Sequence, residues 1–547
     1  MFRNKSVNIH SFSMVPKFDV PRSKFERQWT HKTTFDAGKL VPIMVDEVLP
    51  ADTFSLHMTA LARFATPIFP VMDNLVLDSF FFFVPNRLIW TNWEKFQGAQ
   101  DNPGDSISFV IPQQVSPNGG YAVGSLQDYM GLPTVGQVTG GVNVTHNALP
   151  LRAYNLIYNT WYKSQDLQTN VVVDKGDGPD TVTNYTLLSR GKRHDYFTSC
   201  LPWPLKGGVN VTLPLGTSAP VKSDGTSFQI RGATGALTTL IANPGTAGGP
   251  VLINSPTTAN NSFNWGAVGA STTGLFADLS TASAATVNQL RTSFQIQKLL
   301  ERDARSGTRY VEMLQNRWGV RPQDSRFDRP EYLGGGSTPV NINPIAQTSG
   351  TGITGGTTPL GNLSAMGTVG AINHGFTASF PEHGYIIGII NIRAELSYQQ
   401  GLRKMWSRST RYDFYMPEFA ALGEQAVLNK EIYVVGSATG GVGAADQDMQ
   451  VFGYQERWGE YRYFPSYITG LFRSTSAGTI DGWHLAQKFT ALPVLNSAFI
   501  TDTPPVSRVV AVGAAANGQQ FICDTLFKCD TTRAMPMYGV PGLIDHF

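Results

Sequence analysis

Between Thr53 and Phe64 the chain alternates without a break. Phe54, Leu56, Met58, Ala60, Ala62 and Phe64 fall on one side, and Ser55, His57, Thr59 and Arg63 mostly on the other. Successive Cβ atoms of a strand point to opposite faces, so this period of two predicts a strand with one buried and one solvated face. Leu75 to Val84, Phe-rich near its end, reads as a second strand buried on both faces. In a third, Ile386, Gly388, Ile390, Ile392, Ala394 and Leu396 face inward while Asn391, Arg393 and Glu395 face outward. Lys430 to Val435 reads as a shorter one. Clusters drawn from 55 Gly and 33 Pro separate these runs, the punctuation of a sandwich or barrel.

Helices are fewer. Thr91-Asn-Trp-Glu94 forms a capping box for a short helix that Gly98 closes. Pro150 starts another, with Tyr154, Ile157, Tyr158 and Trp161 at helical spacing. Thr286-Val-Asn-Gln289 caps a third, continuing to about Ser306, and Thr308 to Trp318 adds one more. No period of 20 to 50 residues is apparent, which argues against a propeller or solenoid.

Only 15% of the 547 residues are charged, and the net charge is +2. That balance excludes a polybasic protein that grips nucleic acid by bulk electrostatics. The deficit is local: Gly207 to Leu290 holds four charges (Lys222, Asp224, Arg231 and Asp278), and Gly334 to Pro381 holds none. The first segment carries too many apolar residues for a linker and reads as an ordered insertion; the second reads as a Gly-rich loop. Neutral polar walls cost little desolvation when buried, which suits packing against copies of the same chain.

Residues 1 to 40 are the opposite, with eight Lys or Arg against three acids. Phe12, Phe18, Phe25, Trp29 and Phe35 are interleaved with Arg3, Lys5, Lys17, Arg22 and Lys24. Such an arm suits single-stranded nucleic acid, with rings stacking on bases and cations meeting phosphates. It equally suits clasping a neighbouring subunit. A second cluster, Arg403, Lys404, Arg408 and Arg411 around Trp406, has the same two readings, with structural ion pairs preferred.

Catalytic chemistry leaves little trace. Gly350-Thr-Gly352-Ile-Thr-Gly355 matches a dinucleotide fingerprint formally, but no helix follows it to face a pyrophosphate. P-loop, zinc-protease and nucleophile-elbow motifs are missing. His374, His383 and His194 read as polar loop histidines. Asp446 and Asp448 read as a solvated turn rather than a calcium loop. Three cysteines suit neither a disulfide framework nor a zinc site; a Cys523–Cys529 pair is the minor reading and reduced thiols the main one. The first residues hold no apolar run fit for a signal peptide, and no stretch approaches the ~20 apolar residues of a membrane span. The expectation is a protein with no catalytic residues, no cofactor, no metal and no membrane insertion. A secreted carbohydrate-active β-sandwich enzyme or adhesin is the alternative, since a glycosidase can hide its two carboxylates from sequence.

Particular strings carry a resemblance. Gly307-Thr-Arg-Tyr310, Trp318-Gly-Val320 and Arg329-Pro-Glu-Tyr-Leu-Gly-Gly-Gly-Ser337 look like the signature region of gokushovirus major capsid proteins, in the Microviridae. Leu49-Pro-Ala-Asp-Thr-Phe54, Asp101-Asn-Pro-Gly-Asp105, Met405 to Tyr415 and Gly423-Glu-Gln425 extend the match, in order, over most of the chain. The resemblance implies an eight-stranded antiparallel viral jelly roll with large inserted loops. It also implies a T=1 shell of sixty copies around single-stranded DNA, assembled in a bacterial host cytoplasm. Residues 41–206 and 286–547 would form the wall. Residues 207–285, where family likeness is weakest, would form a threefold surface protrusion, with Phe228, Leu237, Asn261, Phe263 and Trp265 as its candidate surface residues. Other implied partners are scaffolding and minor capsid or DNA-binding proteins and a bacterial surface receptor. Arg3, Lys5, Lys17, Arg22, Lys24, Arg403, Lys404 and Arg408 are the candidates for facing DNA.

Overall fold

The computed structural model describes residues 21–207, 287–305, 328–349, 361–436, 447–511 and 519–538, with strand pieces at 221–223, 229–231, 237–239 and 275–277. The chain divides into two compact units, Met1–Pro204 with Thr308–Phe547, and Leu205–Gly307.

The larger unit is mainly β. Besides a short pair, Gln113–Val115 with Thr145–Asn147, its strands are β1 (Arg22–Phe35), β2 (Val41–Val48), β3 (Thr53–Phe64), β4 (Leu75–Pro85), β5 (Glu331–Pro339), β6 (Asn341–Ala346), β7 (Leu363–Ser379), β8 (Gly384–Ala394), β9 (Glu424–Leu428), β10 (Val451–Glu456) and β11 (Phe521–Ala534). One antiparallel sheet runs β1-β11-β3-β7-β6 and a second β5-β4-β8-β2, with β9 and β10 paired separately. The alternation of β3 becomes its burial: Phe54, Leu56, Met58, Ala60, Ala62 and Phe64 are all at most 2% exposed. They share one core with Phe81 and Phe83 of β4, Ile386, Ile390 and Ile392 of β8, and Phe521 and Phe527 of β11. The arrangement is that of a β-sandwich.

The four-stranded sheet is covered on its other face too. Phe82, Val84, Tyr385, Ile387 and Ile389 pack against Trp90 and the helix Leu149–Ile157, which Pro150 opens as predicted. A sheet between two layers is apolar on both sides, which explains the consecutive hydrophobic runs Phe80–Val84 of β4 and Tyr385–Ile387 and Ile389–Ile390 of β8. It also corrects the outward assignment of Asn391 and Arg393. Asn391 is fully buried and donates to the Lys39 carbonyl at 2.8 Å, and Arg393 Nε reaches Asp78 Oδ2 at 3.2 Å.

The same region yields a pH prediction. Asp502, 2% exposed, has its carboxyl pushed up to about 6 by burial, against the pull of Lys192 and Arg393. A raised carboxyl binds its proton more tightly folded than unfolded. Its contribution is therefore favourable at low pH and is lost as pH rises from about 4 to about 6. In Asp502→Asn the melting temperature relative to the unaltered chain should climb across that window and level off above it; a flat difference would refute this assignment.

Other expectations change. Most of the predicted Gly-rich loop 334–381 is β5, β6 and β7, because its glycines serve close approach rather than flexibility. A Cβ on Gly335 would lie 2.0 Å from the Ser79 carbonyl oxygen, and one on Gly336 would strike the His374 ring at 2.4 Å. His374 is accordingly no loop residue: it is buried in β7, bonded to Ser79 Oγ (2.8 Å) and Thr338 Oγ1 (3.0 Å). Lys430 to Val435 is not a strand, since Asn429–Ile432 is a helical turn tied by the Leu428 amide to Glu431 Oε1 (3.0 Å). The short helix is Trp93–Phe96, and its N-cap is Asn92 without a side-chain cap; that amide donates to Asp177 instead. Asp448 is buried rather than solvated and accepts from the Val435 and Gly436 amides, both at 2.9 Å. Cys523 and Cys529 are free and buried on one face of β11, six residues or roughly 20 Å apart, too far to bridge.

In the smaller unit, Val221–Ser223 pairs with Leu275–Ala277 and Gln229–Arg231 with Leu237–Thr239. The predicted helix spans Val287–Arg305, with Arg302 and Arg305 in its last turn, where cations complement the helix dipole. Leu237 opens its strand; Phe228, Asn261, Phe263 and Trp265 lie outside the described residues, as do the helix expected at 308–318, the glycines 350–355 and Asp446.

Candidate subunit and nucleic-acid interfaces

Of the basic arm, Arg3, Lys5 and Lys17 lie outside the described residues. From Arg22 onward it is β1, a sheet strand rather than a free arm. Its interleaved rings are the inward half of a period-two pattern: Trp29 stacks on Phe527 with centroids 5.2 Å apart, and Arg27 Nη2 bonds Asp46 (2.5 Å) and Thr531 (2.8 Å). The outward cations meet acids on β11, Lys24 with Asp530 and Lys32 with Asp524, each at 2.8 Å. The Lys24 ammonium is raised in pKa chiefly by its bond to Asp530. Arg22 donates to the Ala51 carbonyl at 2.6 Å. Much of the charge counted in the arm is thus neutralised within this sheet.

The second basic cluster lies elsewhere, in short turns that pair with the segment 457–473. The Arg403 guanidinium sits 3.8 Å above the Phe464 ring centroid. Arg408 bonds Glu460 at 3.1 Å, donates to the Tyr461 hydroxyl and lies 4.4 Å over that ring. Lys404 Nζ approaches Glu431 at 3.8 Å and donates to the Ala426 carbonyl at 3.3 Å. Glu431 is buried, which raises its pKa, and accepts from the Tyr196 hydroxyl at 2.9 Å. Asp413 caps the turn by accepting from the Ser409 and Thr410 amides, which lower its carboxyl to about 2. The ion pairs preferred for this cluster are present at Arg408 and Lys404, while Arg403 is paired with rings.

Together these groups border an open cleft of about 570 Å³. Its rim is aromatic, and Trp406 is 69% and Tyr467 54% exposed. Tyr461, Tyr463, Phe464 and Tyr467 were not singled out from sequence, although Glu460-Tyr-Arg-Tyr-Phe-Pro-Ser-Tyr467 is a visible signal: four rings in eight residues, too dense for a solvated loop. Arg22 and Lys24 of β1 share no contact with this cleft.

A different surface is aliphatic. Ile107, Val110, Val123, Val135 and Val142, all more than half exposed, stud the Gly-rich excursion between Phe96 and Leu149. Among the described residues no group of three or more His, Cys, Asp or Glu is placed to hold a metal ion, and no helix is long and apolar enough to cross a membrane.

Comparison with known proteins bears on these surfaces. The family model described as capsid protein (F protein) matches residues 13–543. Capsid protein VP1 of Bdellovibrio phage phiMH2K is 46% identical, over 99% of each chain. Capsid protein VP1 of Chlamydia phage 1 is 41% identical and that of Spiroplasma virus 4 is 35% identical, each over 98% of both chains. With a family model spanning nearly all of it and relatives matched end to end, the chain belongs to the capsid protein (F protein) family, and the gokushovirus resemblance of its strings holds.

Proposed function

We propose that this chain is the wall-forming subunit of a T=1 icosahedral shell, sixty copies enclosing a single-stranded DNA genome and assembled in a bacterial cytoplasm. The observation that carries the reading is end-to-end similarity to proteins named as capsid subunits. Topology supports it. With β6 set aside, one sheet reads β1-β11-β3-β7 and the other β2-β8-β4-β5, the interleaving that two Greek keys give a jelly roll. Size supports it as well. A chain of this length has a radius of gyration of about 24 Å and a footprint of roughly 3,000 Å², so sixty copies tile a sphere of roughly 120 Å radius.

Assembly then follows from heterologous contacts that close into rings about the fivefold and threefold axes. The exposed valines of 107–142 supply apolar contact, and the low charge of the chain keeps the desolvation cost of burying such loops small. Residues 207–285 form the outer protrusion that meets the host receptor. Scaffolding and minor capsid or DNA-binding proteins complete the partner set, and Arg3, Lys5 and Lys17 face the genome.

Electron microscopy of the purified protein or particle tests the whole reading. Uniform shells of one diameter are expected, and monodisperse monomers would refute it. Limited proteolysis of the same particles should cut first within 207–285; protection of that segment would remove the protrusion from the account.

A further inference from the structure

The aromatic cleft beside Arg403 combines exposed rings with more cations than acids. Trp406 and Tyr467 line it with rings more than half exposed, and among the described residues no other ring packs on Trp406. Arg403, stacked on Phe464, has no carboxylate within ion-pair reach among the described residues. The two acids on the cleft wall are engaged already, Glu460 by Arg408 and Gln425, and Glu431 by Tyr196 and Lys404. Arg473, which donates to the Gln399 carbonyl, adds another cation at the rim. The lining therefore carries Arg403, Lys404, Arg408 and Arg473 against two glutamates, an excess of positive charge held next to exposed rings.

Each candidate occupant can be weighed by that chemistry. The neutral loops of a second copy would bury Arg403 without a counter-charge, which is costly. The chain's own residues 1–20, with Arg3, Lys5 and Lys17 against Asp19, would bring like charge to like charge. Duplex DNA offers phosphates, but its bases are already stacked on one another. Single-stranded DNA offers both halves of the match: unstacked bases for Trp406 and Tyr467, and phosphates for Arg403 and Arg473. A cleft of about 570 Å³ is the size of an ordinary ligand pocket, room for a nucleotide or two rather than for a folded element.

We infer that this cleft binds unpaired nucleotides of single-stranded DNA, stacking bases on Trp406 and Tyr467 while Arg403 meets the backbone phosphate. The inference rests on the single-stranded-DNA shell proposed above and gives that genome a specific seat on the wall. Because stacking uses the π-face that every base has, binding is sequence-tolerant.

The test uses the full-length chain and a fluorescein-labelled twelve-residue oligothymidylate, with anisotropy read at several salt concentrations. Trp406→Ala and Tyr467→Ala should each weaken binding between about 5-fold and 150-fold, the range for loss of one base–ring stack. Arg403→Gln should flatten the slope of log affinity against log salt by about 0.7. Ile372→Ser, on the far strand β7, should change neither, and a duplex of equal length should bind more weakly. Unchanged affinity in all three cleft variants overturns the inference. So does loss of shells in micrographs of Trp406→Ala with oligonucleotide affinity intact, because the cleft is then a subunit contact. Wild-type shells with no effect of the cleft variants on binding remove the cleft alone and leave the capsid reading standing; oligonucleotide binding that behaves as expected in a chain that forms no shells supports the cleft and removes the shell.

Discussion

Asp180→Ala should destabilise the larger unit by about 3–5 kcal/mol, read as a fall in the urea midpoint followed by tryptophan fluorescence. Arg152 and Asp180 are both fully buried in side chain. Nε of Arg152 bonds Asp180 Oδ2 at 2.8 Å, Nη2 bonds Oδ1, and Nη1 donates to the carbonyls of Ile89 (3.1 Å) and Gly176 (2.8 Å). Tyr185 donates its hydroxyl to the same carboxylate. Removing Asp180 strands a guanidinium that no water can reach, and that stranded charge, more than the lost attraction, sets the size of the effect. A sharp check follows. Arg152→Met combined with Asp180→Leu should cost less than Asp180→Ala alone, because no uncompensated charge remains. If the double change is the worse of the two, packing rather than charge dominates there. The consequence reaches assembly: Arg152 ties the helix Leu149–Ile157 to the segment at Gly176 and Asp180, in the layer that leads into the valine-studded excursion. Loosening it should lower the yield of shells at temperatures where the single chain still folds.

How far this architecture was legible follows from which neighbours each segment needs. β3 faces solvent on one side only, so its alternation sufficed. β4 and β8 lie between two layers, and Asn391 and Arg393 could be placed only once their partners, the Lys39 carbonyl just before β2 and Asp78 on neighbouring β4, were known. The aromatics of residues 22–35 look like a nucleic-acid arm in one dimension; only pairing with β11 reveals Trp29 as a partner for Phe527. The basic cluster at Arg403 to Arg408 was legible as a cluster. Its partners at 460–467 lie some sixty residues on, and nothing local to Trp406 announces them. Ile432 to Val435 is too short a run to distinguish a strand from a buried helical turn.

The most instructive misreading is glycine, and it carries the second large effect. Gly375→Ala should cost about 3 kcal/mol, the upper end of the overpacking range, because the added methyl would sit 1.8 Å from the Leu56 carbonyl oxygen. That atom is backbone of β3, so no rotamer change relieves the clash; β7 must lift from β3 just beyond the irregularity between Ala371 and His374. Five residues earlier on the same strand, Gly370 has nothing within 4 Å of its would-be Cβ, and its backbone is not left-handed. Gly370→Ala should therefore be neutral or stabilise by about 0.4–1 kcal/mol, through reduced freedom of the unfolded chain. Two identical substitutions on one strand thus differ in sign, and urea denaturation of the pair measures the difference directly. A neutral Gly375→Ala would mean that β7 and β3 do not approach as closely as this register requires, and a strongly destabilising Gly370→Ala would mean that the outer face of β7 is covered. Composition treats the two glycines alike; only the distance to Leu56 separates them.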